Sequence, residues 1–377
     1  MNRIIYLDAA ASCLKPESVI MAQVDFLRNH YANAGRGVCA RSANVDKMVA
    51  AARGRVAKFI NACPEQIVFT GGTTDGMNRI TKILDDRFAH FIDGKKIAVS
   101  DLDHHSARMP FEELWNIKDC KAVLCPLDDD FNLDASNMPV ADVFIITAMS
   151  NVLGVPQNVA ALISAAKKQN PNIITIVDAA QYVAHAPIDV TEWDCDFLCF
   201  SAHKIGADTG LGIMYIKEPK EWWPDKFGGG MVSRITGSAS DGRNKWKFTD
   251  APEKFEAGTL PLTQIAGLVP AIDAMEKTRG DHTLIRYLYD ELSKVDKIKI
   301  ITEPNAVVLT FVVDGMHVLD FGALIGAHNV CLRVGNRCAS WLHRLLGYDG
   351  TIRISCGAWN TMDEMKQVVQ TIKTLMQ

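Results

Sequence analysis

FLCFSAHKIGADTGLGIMYI, residues 197–216, sets two apolar runs, 197–200 and 212–216, around a polar stretch that holds a serine, a histidine, a lysine and two glycines. Each run is short and apolar throughout, the pattern of a strand covered on both faces. Similar runs recur at residues 67–70, 97–99, 122–125, 143–147 and 173–177, which makes seven short buried strands in all. Between several of them the apolar period changes to that of a helix. Residues 45–59, with Val45, Met48, Val49, Ala52, Val56 and Phe59 on one face, are one case, and residues 158–168 are another. The alternation predicts an α/β domain built on a seven-stranded, mostly parallel sheet with helices on both faces.

Beyond residue 265 the rhythm changes. Two helices (266–277 and 282–294), a strand (307–313), a second strand (352–355) and a final helix predict a smaller α+β domain. That last helix opens on Thr361-Met-Asp-Glu364, a capping box. Residues 224–258, rich in Gly, Ser, Lys and Pro, have little periodicity and are expected to form an exposed excursion.

Composition narrows the function. A chain of 377 residues, 48% apolar and 22% charged, can bury a large core. Its net charge of −4 and isoelectric point near 6.2 give it no general attraction for phosphate backbones or anionic membranes, so nucleic acid and membrane are not expected partners. No apolar run approaches the roughly 20 residues of a membrane span, and the first residues, MNRIIYLDAA, lack a signal-peptide core; the expected compartment is the cytoplasm. Ten cysteines without a CxxC pair or a zinc-type grouping read as reduced thiols, and no metal site is expected.

In an open α/β sheet ligands bind beyond the carboxyl ends of the strands. Four such ends carry chemistry. After 67–70 comes GGTTDGMN, where Thr73 and Thr74 offer hydroxyls and amides at a helix start; a simple glycine turn with a threonine cap explains the same letters. After 97–99 come Asp101, His104 and His105; after 143–147, Ser150 and Asn151; after 173–177, Asp178 and Gln181. Each alone reads as a cap or a surface polar group. Together with Lys204 they supply what pyridoxal phosphate needs: a lysine to bond its aldehyde, an acid to keep the pyridine nitrogen protonated, and an anion pocket. Lys204 then lies where it can meet the aldehyde, with Ser201 and His203 at the phosphate.

The strings VDAAQ (177–181), FSAHK (200–204), TGLGIMYIK (209–217), SNVLG (150–154), FEAGT (255–259) and RVGNRCA (333–339) resemble the class V aminotransferase family of fold-type I pyridoxal-phosphate enzymes. In particular they resemble its class II (SUF-type) cysteine desulfurase and selenocysteine lyase group. The resemblance runs from YLDAAAS at 6–12 to RISCGAWNT at 353–361. It implies a large cofactor-binding domain over 14–264, and a small one, carrying the nucleophile, formed by 1–13 and 265–377. It further implies that Lys204 bonds the cofactor, Asp178 pairs with the ring nitrogen, Gln181 with the ring hydroxyl, and His104 stacks on the ring and assists proton transfer. Thr73, Thr74, Ser201 and His203 would hold the phosphate, joined by Thr259 from the other subunit of a homodimer. Asn151 would lie beside ring and substrate, and Arg353, helped by Arg333, would clamp the substrate carboxylate, a role suited to the bidentate guanidinium.

The nucleophile implied is Cys338, with Arg333 and Arg337 favouring its thiolate. Cys39, Cys331 and Cys356 lie in similar motifs and read as packing residues. The implied reaction converts L-cysteine to L-alanine, leaves a persulfide on Cys338 and passes its sulfur to an acceptor protein or a reductant. Three departures bear on substrate: NAGRG at 33–37 has Gly35 where relatives have a histidine, Asp208 adds a negative charge after the lysine, and Leu260-Pro261 replaces the usual sequence after FEAGT. L-Selenocysteine, another class V reaction such as a transamination, epimerisation or C–S cleavage, and a non-catalytic sulfur relay remain open alternatives at this point.

Overall fold

The computed structural model describes residues 4–35, 37–85, 92–237 and 245–377. Arg36 and residues 238–244, which fall in two of the stretches singled out above, lie outside them. After the two-residue β1 (Ile5–Tyr6) come α1 (Glu17–Asp25), α2 (Ala40–Phe59), β2 (Ile67–Thr70), α3 (Thr73–Leu84), β3 (Lys96–Val99), α4 (His105–Ile117), β4 (Lys121–Leu124) and β5 (Val143–Thr147). Then follow α5 (Val159–Gln169), β6 (Ile174–Asp178), the single turn α6 (Val190–Trp193), β7 (Phe197–Ser201) and β8 (Gly212–Ile216).

These strands form one sheet in the order β2-β8-β7-β6-β5-β3-β4. Neighbours from β4 through β7 run parallel, and only β8 is reversed against its two neighbours. The seven apolar runs therefore all become strands of one mostly parallel sheet. Their lack of polar alternation has a direct cause: both faces are covered. In β7, Phe197 and Cys199 enter the core under α3 and α4 with Met77, Ile80 and Phe111, while Leu198 and Phe200 enter the opposite core with Val56, Phe59, Ile163 and Ile272. Each such buried phenylalanine contributes about 2–3 kcal/mol of hydrophobic stabilisation. The strand order reverses direction at β3, with β4 on one side and β5 on the other, and a crevice opens beyond the carboxyl ends of β3 and β5.

Backbone meets backbone where α3 begins. Gly72, at φ +140°, lies so close to Gly212 that a Cβ on Gly212 would fall 2.4–2.8 Å from three Gly72 main-chain atoms. That approach lets the α3 start sit directly against β8 and beside Ser201. A Gly212→Ala substitution cannot be absorbed by a rotamer change, so about 1–3 kcal/mol of destabilisation is expected from urea unfolding. An unaltered midpoint would show that the turn yields freely.

A second arrangement follows the hairpin of β9 (Val232–Thr236) and β10 (Lys245–Phe248). Helices α7 (Leu262–Ala266), α8 (Leu268–Glu276) and α9 (Thr283–Leu292) lead to β11 (Ile298–Ile300), β12 (Leu309–Val313), α10 (Val318–Ala327), β13 (Val330–Cys331), β14 (Arg333–Gly335), α11 (Ser340–Leu346), β15 (Thr351–Ile354) and α12 (Met362–Leu375). Four of these strands form an antiparallel sheet, β11-β12-β15-β14, whose core with α9, α10 and α12 is separate from those of the large sheet. β1 returns here, pairing in parallel with β13. The capping box forms as the sequence requires: Glu364 N–H donates to Thr361 Oγ1 at 3.3 Å, and Thr361 N–H to Glu364 Oε2 at 3.1 Å.

Two expectations change. The helix expected over 266–277 is broken between α7 and α8, because Pro270 has no N–H for the carbonyl of Ala266 and its ring crowds that group. The excursion at 224–258 contains the β9–β10 hairpin, whose exposed residues hide the strand period. Among the described residues no helix is long and apolar enough to cross a membrane.

Candidate active site

The strand ends converge on a cavity of about 310 Å³. Lys204 enters from the turn after β7, where burial of Ala202 and Ile205 fixes the backbone and leaves the lysine pointing inward. Its Nζ donates to the Ala10 carbonyl at 3.0 Å, and Gln181 Nε2 donates to the same oxygen at 2.9 Å. Burial, with Arg353 adding repulsion, lowers the Lys204 pKa to about 8 against the partial support of Asp178 and Asp8. Only the neutral amine acylates. Lys204 is therefore expected to react with acetic anhydride at a rate that rises with pH and is half-maximal near 8, against 10.5 for an ordinary lysine. Mass spectrometry of the labelled peptide checks this, and a midpoint at the ordinary value would contradict the burial argument.

Asp178, at the end of β6, is 4% exposed. Burial raises its pKa; the Ala180 N–H, 2.9 Å from Oδ1, and Lys204 both act against that rise. His104 caps α4 and faces the cavity. Its Nδ1 accepts from Ser106 N–H at 3.1 Å and lies 2.8 Å from Ser106 Oγ, which leaves the ring proton on Nε2. Burial first, then Lys204, lowers its pKa to about 4, so the imidazole is neutral. His203 is lowered to about 4 by the same two causes and by Lys15.

At the other end of the cavity Ser201 Oγ accepts from Thr73 N–H at 2.8 Å and lies 2.9 Å from Thr73 Oγ1, beside the exposed Thr74 and the start of the 12-residue α3. This corner is suited to an anion.

Across the cavity stands an arginine system. Arg353, 2% exposed on β15, donates through Nη2 to Asp8 at 2.9 Å and through Nη1 to the Asn151 carbonyl at 2.9 Å, while its Nε has no partner among the described residues. Arg333, half exposed on β14, reaches the other oxygen of Asp8 at 2.8 Å. Asn151 Oδ1 is likewise buried and, among the described residues, without a partner. A buried donor and a buried acceptor left open on one wall suit a polar ligand that carries both functions.

Cys338 lines this cavity from the loop between β14 and α11, on the far side from Lys204's sheet. Arg337 and Cys338 both take left-handed backbone, at φ 49° and 57°, a conformation that costs roughly 1 kcal/mol for each residue with a side chain. Contacts from outside the loop hold it: Asn151 Nδ2 donates to the Arg337 carbonyl at 2.9 Å and His105 N–H to the Cys338 carbonyl at 2.8 Å. The Arg337 guanidinium turns back to the carbonyls of Gly335 and Thr351 and to the Thr351 hydroxyl.

Of the residues singled out in the sequence, Thr73, Thr74, His104, Asn151, Asp178, Gln181, Ser201, His203, Lys204, Arg333, Cys338 and Arg353 all line this one cavity. Thr259 does not; it is exposed on the loop after residue 255. Asp208 accepts from Gln23 on α1 at 3.4 Å and lies outside the lining. Cys39 and Cys331 are exposed, which corrects their reading as packing residues, whereas burial raises Cys356 to about 12. Asp8 and the Ala10 carbonyl were not singled out. YLDAAAS held the only signal, an aspartate at the head of a small-residue turn.

Comparison with known proteins gives one family. The chain matches Aminotransferase class-V over residues 5–368. It is 33% identical to a probable cysteine desulfurase of Vibrio cholerae, covering 98% of this chain and 93% of that protein, and 32% identical to a cysteine desulfurase of Cronobacter sakazakii, covering 97% and 91%. Among solved structures, the apo cysteine desulfurase of Thermococcus onnurineus NA1 superposes with a TM-score of 0.92 at 30% identity over 100% of this chain and 95% of that one. The Escherichia coli cysteine desulfurase CsdA gives 0.88 at 29% identity over 98% and 94%.

Proposed function

The chain belongs to the class-V aminotransferase family, and on that premise we propose that it is a pyridoxal-phosphate-dependent cysteine desulfurase. It takes sulfur from L-cysteine, releases L-alanine and carries the sulfur as a persulfide on Cys338 for transfer to an acceptor. The observation that carries this reading is the meeting in one cavity of an amine, a buried carboxylate, an arginine and a thiol brought by four separate segments.

The residues present fit the cofactor. The bare backbone of Gly72 beside Ser201 leaves a cradle that a Cβ would narrow to 3.2 Å, and the open polar atoms of Asn151 and Arg353 await a ligand of mixed polarity. Lys204 would bond the cofactor, Asp178 would hold its ring nitrogen protonated, Gln181 would meet its hydroxyl, His104 its face, and Thr73, Thr74, Ser201 and His203 its phosphate. When bound, pyridoxal phosphate supplies the electron sink that makes the substrate Cα–H acidic and its Cβ–S bond labile.

The protein's part is binding and proton management. Arg353, fixed by Asp8, presents its open Nε to the substrate carboxylate. Lys204, with a pKa lowered to about 8, can take the Cα proton and return it. Cys338 as thiolate forms an S–S bond to the substrate sulfur while Cβ–S breaks and that electron pair stays with carbon. Protonation of the carbon completes alanine. Thiol plus cysteine gives persulfide plus alanine, so no external oxidant is needed.

We place the division between a large unit, 14–264, and a small one, 1–13 with 265–377; the separate core of the small sheet supports it, while α8, through Leu268, Ala271 and Ile272, packs in a core of the large sheet. A homodimer is proposed from the exposed position of Thr259 and from the exposed apolar side chains Met21, Leu27, Tyr31 and Val38.

The deciding experiment supplies purified, cofactor-loaded protein with L-cysteine, L-selenocysteine and L-cysteine sulfinate in turn, measures alanine, and maps the persulfide by mass. Alanine and a persulfide on Cys338 from L-cysteine, in a protein that sediments as a dimer, are expected. Alanine from L-selenocysteine alone would replace this reading by a lyase, and no alanine from any of them would end it.

A further inference from the structure

Helix α4 starts with two histidines that face different partners. His104 lines the cavity; the His105 ring does not. His105 turns instead to the loop that carries Cys338. Its main-chain N–H donates to the Cys338 carbonyl at 2.8 Å; its side chain turns to the residues after it, where Nε2 accepts from Ser340 N–H at 3.4 Å and lies 3.1 Å from Ser340 Oγ, and the ring meets the Trp341 ring at 5.0 Å, edge to face. One turn further along α4, Arg108 lies 4.2 Å over the same Trp341 ring. Because the Ser340 amide must donate, Nε2 is the acceptor and the ring proton sits on Nδ1. Burial lowers the His105 pKa, which favours this neutral form.

The grip matters because of what it holds. Arg337 and Cys338 are in the left-handed region without a glycine between them, and α11, which begins at Ser340, is only seven residues long. Such a loop keeps its shape through contacts from elsewhere. Asn151 supplies one of them, but Asn151 also lines the cavity. His105 holds the loop on both sides of Ala339 without touching the cavity.

Resting on the desulfurase reading, we infer that His105 is a positioning residue for the nucleophile: its ring, holding Ser340 and Trp341 beside the main-chain bond to the Cys338 carbonyl, fixes the direction from which Cys338 Sγ reaches the substrate sulfur. The dipeptide His104-His105 then sets both the imidazole at the cofactor face and the approach of the thiol, so one turn of backbone ties the two reacting groups together.

The test compares wild type, His105→Ala and His105→Gln as full chains. Glutamine can present its Oε1 to the Ser340 amide and hydroxyl. In the alanine variant, single-turnover persulfide formation on Cys338 is expected to slow by about 10- to 100-fold, the scale of a nucleophile misplaced by roughly 1 Å, with KM for L-cysteine within about 2-fold. The glutamine variant should recover to within about 3-fold of wild type. In cofactor-free protein, iodoacetamide should alkylate Cys338 faster, and amides 336–341 should exchange faster, in the alanine variant alone.

Unchanged persulfide and alkylation rates in His105→Ala overturn the inference, as does a loss shared equally by kcat and KM that glutamine does not restore. Should the alanine protein fail to fold, Ser340→Ala removes the partner hydroxyl and is expected to slow persulfide formation by about 3- to 10-fold at constant KM; no slowing there counts against the proposal. A wild type that forms no persulfide from L-cysteine would refute the desulfurase reading, while the alkylation and exchange comparison would still decide whether His105 holds the loop.

Discussion

Replacing Lys204 by alanine is expected to lower alanine production from L-cysteine by about 10³-fold or more, and to abolish the visible band that the wild type gains with pyridoxal phosphate. Two functions are lost together, the covalent hold on the cofactor and the base at Cα, and each is ordinarily worth 10² or more. The loss would not come from unfolding. Burial of Lys204 opposes its charge, so its pKa lies near 8 in the folded chain against 10.5 for an exposed lysine. Between those values the unfolded chain binds more protons, so that stability rises with pH across the window and the penalty is fully present below about 8. Removing the amine removes that penalty. Lys204→Met should therefore match or exceed the wild type in urea at neutral pH, measured without cofactor, even though it is inactive. Turnover in Lys204→Ala near the wild-type rate would refute the proposed mechanism at its base.

The sequence made this lysine legible for a local reason. A strand covered on both faces is apolar along most of its length, so in Phe197–Ser201 the end is marked by the first polar residue, and at Ser201 that mark coincides with the rim of the sheet. The same logic located Asp178, His104 and Asn151. It failed where the signal is not a residue type. Nothing in Ala10 shows that its carbonyl will accept from both Lys204 and Gln181. His105 was visible as a letter, but its task depends on a loop more than two hundred residues away.

The order of strands was not legible either, since seven similar apolar runs fit many orders and only packing chooses among them. β14 was missed because three residues, Arg333–Gly335, are too few to show a period. Its pairing with β15 nevertheless brings Arg333 beside Arg353, and so completes the arginine wall. The β9–β10 hairpin was hidden because both of its strands are largely exposed, and strand patterns are clear only where one face is buried.

Replacing Cys338 by alanine should separate the cofactor chemistry from the sulfur chemistry. The variant is expected to take up pyridoxal phosphate with the wild-type spectrum, since Lys204, Asp178 and Ser201 stand on the other sheet, yet to make alanine from L-cysteine at least about 100-fold more slowly and to carry no persulfide. Among the described residues no other cysteine lines the cavity to take its place. Cys13, the nearest by chain path to Ala10, is half-buried, and burial pushes its thiol up to about 11. The backbone should tolerate the change, because alanine keeps a Cβ in the left-handed position at φ 57° and the carbonyl still accepts from His105. L-Selenocysteine should suffer less than L-cysteine in this variant, because selenium leaves carbon more readily and depends less on the attacking thiolate. Alanine and sulfide formed from L-cysteine at the wild-type rate would make Cys338 incidental and turn the reading toward direct C–S cleavage; cofactor uptake without turnover, restored by no substrate, would point to damage beyond the thiol.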